Sequence, residues 1–267
     1  MSRGLDHIVH AVRDLDAAAE IYRGLGFTVG ARNRHPWGTH NYIIQFPGFF
    51  IELLTLAEPD KLGSDGFSRL FTAHTRDFLD RDEGFALLIL ESRNAGADEA
   101  AFRAAHIAAS EVMRFEREGK RPDGSPVKVG FSLVFAEDKL APDIHFATCQ
   151  QHYPENFWNP AFQNHANGVE AVAGIVMVAD DPARHRDFLL AFTGAQSARN
   201  SGDGFAIDLR RGAIELMRPA VFERRFGLPA PDTVGGARLA ALRLSGPALA
   251  SGKHTVLSAV LVFEPAR

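Results

Sequence analysis

His7 and Glu52 are the pair on which chemistry can be built. His7 stands near the start of a strand-like run, 5–12, and Glu52 interrupts the apolar run 49–56. A carboxylate in such a run is costly to bury unless it is paired, bound to a metal or turned toward a cavity. Imidazole with carboxylate suits a divalent ion such as Zn, Mn, Fe or Ni, with Mn, Fe or Ni fitting an octahedral site better. Glu52 can also serve as a general base. Both residue types have plainer uses: a strand histidine packs or lines an edge, and a strand glutamate pairs with an arginine. A second cluster occupies 34–41. His35, Thr39, His40 and Asn41 offer polar groups to an anionic or carbonyl substrate, with His40 the candidate acid–base residue. Alternatively, the segment is a glycine-centred turn whose Thr39 and Asn41 satisfy their own backbone. Trp37 and Trp158 lie in loops and can wall a pocket. His165, in Asn164-His165-Ala166-Asn167-Gly168, either sits in a turn between modules or faces the cleft.

The elements that must position these residues recur along the chain. Residues 5–12 read as a strand, and Asp14 or Asp16 can cap a helix over 15–25. Gly24 and Gly26 offer its stop. Strands are then expected over 27–32, 41–46 and 49–56, which gives the order βαβββ. The order returns as a strand at 85–91, a helix at 97–109, a strand pair at 112–118 and 127–136 turning at Asp123-Gly124, and a strand at 144–150. A connecting helix is expected over 67–79. A third copy opens near Val172, with Asp181-Pro182 as cap and first helical residue. Its run Ala213-Ile214-Glu215-Leu216-Met217 echoes Phe50-Ile51-Glu52-Leu53 at a similar spacing, with Gly174 where His7 would be. A shortened fourth copy without a helix is expected over 239–263. The expected fold is therefore α+β: repeated βαβββ modules forming paired, cupped mixed sheets with helices outside. The polar stretch 153–168 separates two halves, 1–160 and 161–267. Paired modules of this kind enclose a concave site.

Taken in order, Leu5-Asp6-His7-Ile8-Val9, the Asp14-Leu15-Asp16 helix start, Gly24-Leu25-Gly26-Phe27 and Phe50-Ile51-Glu52-Leu53 resemble the vicinal-oxygen-chelate superfamily. That group includes glyoxalase I, extradiol dioxygenases, epimerases and antibiotic-resistance proteins. The segments 34–41 and 164–168 look like its glyoxalase-like subgroup. The resemblance implies metal ligands at His7 and Glu52 and a second pair from the second module. There the sequence departs from the pattern. The strand at 85–90 holds no ligand type, and the last strand offers Gln150. The implied site is three-point, from His7, Glu52 and Gln150, or metal-free. The implied function is a divalent-metal-dependent lyase, isomerase or dioxygenase acting on a small oxygenated substrate, with Glu52 doubling as base. The incomplete ligand set favours the alternative, a metal-free protein that binds or sequesters a small molecule.

A formal net charge of −4 argues against a nucleic-acid partner, which would need a basic face. No window approaches the roughly 18 apolar residues of a membrane span, and the first residues carry no signal-peptide pattern. The single cysteine, Cys149, forms no intramolecular disulfide, and cytoplasm is the expected compartment. A homodimer is compatible with all of this.

Overall fold

The first strand, β1 (Leu5–Ala11), is buried at every position. The Asp14 side chain then accepts from the Ala17 N–H at 3.0 Å, a cap of the kind that stabilises by about 1 kcal/mol. The helix it opens, α1 (Leu15–Gly24), buries Leu15, Ala18, Ala19 and Tyr22 along one face. Strands β2 (Asn33–Arg34), β3 (Thr39–Phe46) and β4 (Phe49–Leu56) complete the unit. The computed structural model describes residues 2–63, 65–120 and 124–266. Asp123 of the expected hairpin turn therefore lies outside the described residues.

A π-helical segment, Ser68–Ala73, runs into α2 (His74–Leu79) and bridges to the second unit. That unit comprises β5 (Gly84–Glu91), α3 (Ala95–Ala104), β6 (Met113–Lys120), β7 (Pro126–Ala136) and β8 (His145–Gln151). A short helix, α4 (Pro154–Phe157), leads on to β9 (Ala171–Val178). There Asp181 caps a 3-10 turn that continues as α5 (Arg186–Thr193), and Gly194 ends it in the left-handed conformation, φ 69°. Next come β10 (Arg199–Asn200), β11 (Gly204–Asp208), β12 (Ala213–Met217) and α6 (Pro219–Phe226). The fourth unit is helix-free: β13 (Arg238–Gly246), β14 (Gly252–Val256) and β15 (Ala259–Pro265).

The strands form two curled mixed sheets, in the orders β2-β3-β4-β1-β5-β8-β7-β6 and β10-β11-β12-β9-β13-β15-β14. Each sheet joins two units through an antiparallel central pair, β1 with β5 and β9 with β13. The sheet faces that carry α1, α3 and α5 share one apolar core, in which Phe102 meets Phe192 and Phe27 meets Phe263. The opposite face of each sheet has its own smaller cluster.

Two expectations need correction. Residues 27–32 do not form a strand, and only Asn33–Arg34 pairs with β3. The Thr28 N–H is taken by His165 Nδ1 and the Thr28 hydroxyl by the Asn164 carbonyl, which ties this stretch to the connection between the sheets instead. In addition, α6 occupies a stretch for which the sequence reading assigned no element.

The pairing registers define equivalent positions. Val9 lies opposite Glu52 on the parallel β1–β4 pair. On β1–β5, Ile8 faces Leu88, His7 faces Ile89 and Val9 faces Leu87. A local two-fold through Ile8 and Leu88 therefore relates His7 to Leu87. Ile89 lies opposite Ala147, so Ala147 is the counterpart of Glu52. In the other sheet Glu215 lies opposite Val176 and Gly174 opposite Arg243.

Candidate functional site

Strand alternation sends His7, Phe50 and Glu52 to one face of the first sheet, with Asn41, Ile43 and Gln45 beside them on β3. This face encloses a cavity of about 590 Å³, within the range of small-molecule sites. Aromatic rings make most of its walls. His35, Trp37 and Phe67 stack in sequence, with centroids 4.9 and 4.6 Å apart, and Phe115 meets Trp37 edge-on at 4.8 Å. Phe50, Phe131, Phe157 and Trp158 also line the cavity.

The polar floor is a continuous chain of contacts. Asp6 Oδ1 holds His7 Nδ1 at 2.6 Å and Gln151 Nε2 donates to Asp6 Oδ2 at 3.2 Å. The imidazole lies parallel to the Phe50 ring at 4.2 Å. His7 Nε2 stands 3.9 Å from Glu52 Oε2, beyond hydrogen-bond range. Glu52 Oε1 accepts from Asn41 Nδ2 at 2.5 Å, Asn41 Oδ1 accepts from Asn33 Nδ2 at 3.0 Å, and Asn33 Oδ1 accepts from Arg117 at 3.3 Å.

Burial raises the Glu52 carboxyl above its ordinary range, and His7 and Asn41 offset only part of this. It also pushes the His35 imidazole down to about 3, helped by the nearby Arg117 and His40 charges. His35 is therefore neutral at neutral pH, with Nδ1 2.8 Å from Thr39 Oγ1. Burial, with Asp6 and Glu52 nearby, pushes the Cys149 thiol up, so Cys149 is a protonated wall residue.

His7, Glu52, His35, Trp37, Asn41 and Trp158 thus share one cavity. Thr39 is fully buried behind His35 and supports it. The remaining sequence candidates go elsewhere. Gln150 lies on the helix side of β8, where its Oε1 accepts from the Ala95 N–H at 3.0 Å at the start of α3. It is no partner to His7 and Glu52, because Cys149 takes the cavity side. His40 points away from the cavity, held by Glu58 at 2.8 Å and by Arg32 at 3.2 Å. His165 accepts from Thr28 N and contacts the Gln45 carbonyl at 2.9 Å, which makes it a tie between β3 and the inter-sheet connection. Replacing Gln150 by Ala should cost about 1 kcal/mol of stability through the lost hydrogen bond and leave ligand affinity unchanged. A calorimetric titration in which Q150A loses affinity would restore it to the site.

The donor set does not fit the expected metal centre. The counterparts of His7 and Glu52 in the second unit are Leu87 and Ala147, both fully buried and without a donor atom. Among the described residues no group of three or more His, Cys, Asp or Glu is arranged to hold a metal ion. Two protein donors fall short of the closed or three-ligand sets of zinc sites and of the three-ligand facial sets of non-haem iron.

Sequence reading missed Asp6, Asn33, Arg117 and Gln151. Arg117 had a signal: in Met113–Lys120, Phe115, Arg117 and Gly119 alternate toward the cavity. Among the described residues no helix is long and apolar enough to cross a membrane.

Comparison with known proteins places this geometry in a lineage. The family model described as "Glyoxalase-like domain" matches residues 5–193. A hypothetical protein from Staphylococcus aureus aligns over 98% of this chain and 99% of its own, with TM-score 0.75 and 14% identity. A mutant 4-hydroxymandelate synthase from Streptomyces coelicolor aligns over 91% of this chain and 71% of its own, with TM-score 0.53 and 11% identity. A methylmalonyl-CoA epimerase from Mycobacterium tuberculosis covers 58% of this chain and 92% of its own, with TM-score 0.39 and 20% identity. At these identities the likeness concerns the fold alone. No curated protein matches the chain. Matched by the family model over most of its length, the chain belongs to the glyoxalase-like domain family.

Proposed function

We propose that the chain is an isomerase or lyase that moves a proton on a small oxygenated substrate, with Glu52 as the base. One observation carries this reading: the contrast between Glu52 and its counterpart Glu215. Glu215 is neutralised by Arg225 and Arg243. Glu52, more deeply buried in an apolar strand, has no lysine or arginine partner among the described residues, and the basic group beside it is His7 at 3.9 Å. A buried carboxylate without a fixed counter-charge is strongly destabilising. The same environment tunes a carboxyl into an effective base near neutral pH.

Glu52 Oε2 removes a proton from a carbon next to a carbonyl, and the C–H electron pair moves into the carbonyl to give an enolate. His7 is held by Asp6 at Nδ1 and presents Nε2 to the enolate oxygen. Donation from Nε2 while Nδ1–H is held by Asp6 uses the doubly protonated form of the ring. Return of the proton to the opposite face of the same carbon gives epimerisation, and departure of a β-substituent with its bonding electron pair gives elimination. A dioxygenase step would need a redox metal, for which the donor set is too small.

The test is hydrogen exchange. A panel of small carbonyl compounds with acidic C–H bonds is incubated with the protein in D2O and followed by proton NMR. The wild type should catalyse exchange in at least one compound and E52Q should not. Exchange that survives in E52Q overturns the assignment. Compounds that bind the wild type tightly without exchanging would support a second reading, a protein that only sequesters its ligand, which the aromatic walls favour.

A further inference from the structure

Among the arginines that are not exposed, two have a neutral asparagine rather than a carboxylate as their partner in the described residues: Arg186, which donates to Asn200 Oδ1 at 2.7 Å and lies over the Phe205 ring away from the cavity, and Arg117. Arg3 pairs with Asp98 at 2.5 Å, Arg238 with Asp143, and Arg243 with Glu215 and Glu264. Arg117 lines the cavity wall, and its partner among the described residues is the neutral Asn33 Oδ1 at 3.3 Å. Burial alone works against its charge, and among the described residues no carboxylate within salt-bridge range offsets that cost. Glu155, the other carboxylate lining the cavity besides Glu52, is exposed.

We propose that Arg117 is the docking point for a carboxylate on the ligand, so that the substrate class is an aryl-bearing carboxylic acid. This rests on the reading of the cavity as a substrate site and names what enters it. The guanidinium fork matches a carboxylate with two parallel hydrogen bonds. The ring walls, Trp37 with Phe67 on one side and Phe131 with Phe157 on another, suit a flat apolar body, whereas a doubly charged, heavily hydrated phosphate would be desolvated there at high cost. Asn33 and Asn41 separate Arg117 from Glu52. A carboxylate on Arg117 is thereby kept off the Glu52 anion, and the neutral end of the ligand reaches Glu52 and His7.

The chain has two tryptophans, Trp37 and Trp158, and both line the cavity, so intrinsic fluorescence reports its occupancy. The probes are 3-phenylpropanoate and its neutral amide, 3-phenylpropanamide. The wild type should bind the carboxylate at least about tenfold tighter, the size expected of one charge-assisted pair, and the preference should shrink with added salt. R117M should lose the preference while keeping the amide affinity, and R117K should keep an intermediate preference because it retains charge without the fork. Equal binding of the two probes to the wild type overturns the proposal even if R117M fails to fold, as does a preference that persists in R117M. The two readings fail separately. A lost preference with E52Q-sensitive exchange sinks only the carboxylate docking. A kept preference with exchange surviving in E52Q sinks only the role of Glu52.

Discussion

Replacing Glu52 by glutamine should lower the catalysed exchange rate by about 10²–10⁴, the contribution of a positioned general base, and should make the folded protein more stable. Glutamine keeps the shape and an oxygen for the Asn41 amide, so the contact of 2.5 Å can persist in altered form. What it removes is a buried charge. Burial raises the folded-state carboxyl above its unfolded range. Between those two values the folded chain holds more protons than the unfolded chain, so the Glu52 contribution to stability falls as pH rises through that window. Glutamine has no such dependence. The stability gain of E52Q should be small near about pH 4, where the unfolded carboxyl is itself largely protonated. It should grow to on the order of 1–2 kcal/mol above the folded value, as is common when a strained functional residue is replaced. Urea unfolding of both proteins at about pH 4 and about pH 8 measures this directly. An E52Q protein that is less stable at both values would mean that Glu52 is satisfied where it stands and is not held as a base.

The repeat was legible in the sequence because its signals are local and redundant. The caps at Asp14 and Asp181 are where the polar residue meets the apolar period, and β4 and β12 have the bounds that their apolar runs suggest. His7 and Glu52 were legible because each interrupts such a run. The failures turn mainly on strand parity. Cys149 and Gln150 are neighbours, as are His40 and Asn41, and a one-residue difference moves a side chain to the opposite face. The family resemblance points to Gln150 on the last strand of the second unit, but the register gives the cavity to Cys149 and Gln150 to α3. For His165 the turn between modules is the alternative the structure takes, and spacing could not choose it over the cleft because its partners, Thr28 and the Gln45 carbonyl, are distant in sequence. The helix α6 did carry signals, proline at its first position and Gly227 after its end at φ 63°. Its apolar residues Phe222 and Phe226 are too few to stand out in eight positions.

That missed helix explains why the second sheet offers no matching site, and it leads to the largest stability effect expected. Phe222 and Phe226 pack with Val176, Val178 and Ala241 on the face that corresponds to the cavity in the first sheet. Next to them Arg243 bridges Glu215 and Glu264, and Arg225 from α6 closes on Glu215. Burial would raise the Glu215 carboxyl, but Arg225 and Arg243 outweigh it and hold the group below its ordinary range. A carboxylate so depressed contributes stability that is present above its unfolded value and is lost as pH falls through the folded one. Arg243→Met removes the more buried of its two cations and leaves two carboxylates facing an apolar cluster. The loss should be about 3–5 kcal/mol, typical of breaking one side of a buried pair. It should be smaller at about pH 4, where protonation of Glu215, no longer held down by Arg243, relieves part of the uncompensated charge. Adding Glu215→Gln to Arg243→Met should recover much of it, giving a coupling energy in the range of 0.5–3 kcal/mol seen for residues in one charge network. Chemical unfolding of the two single variants and the double variant completes the cycle. Strict additivity would show that Arg243 stabilises this face by packing alone.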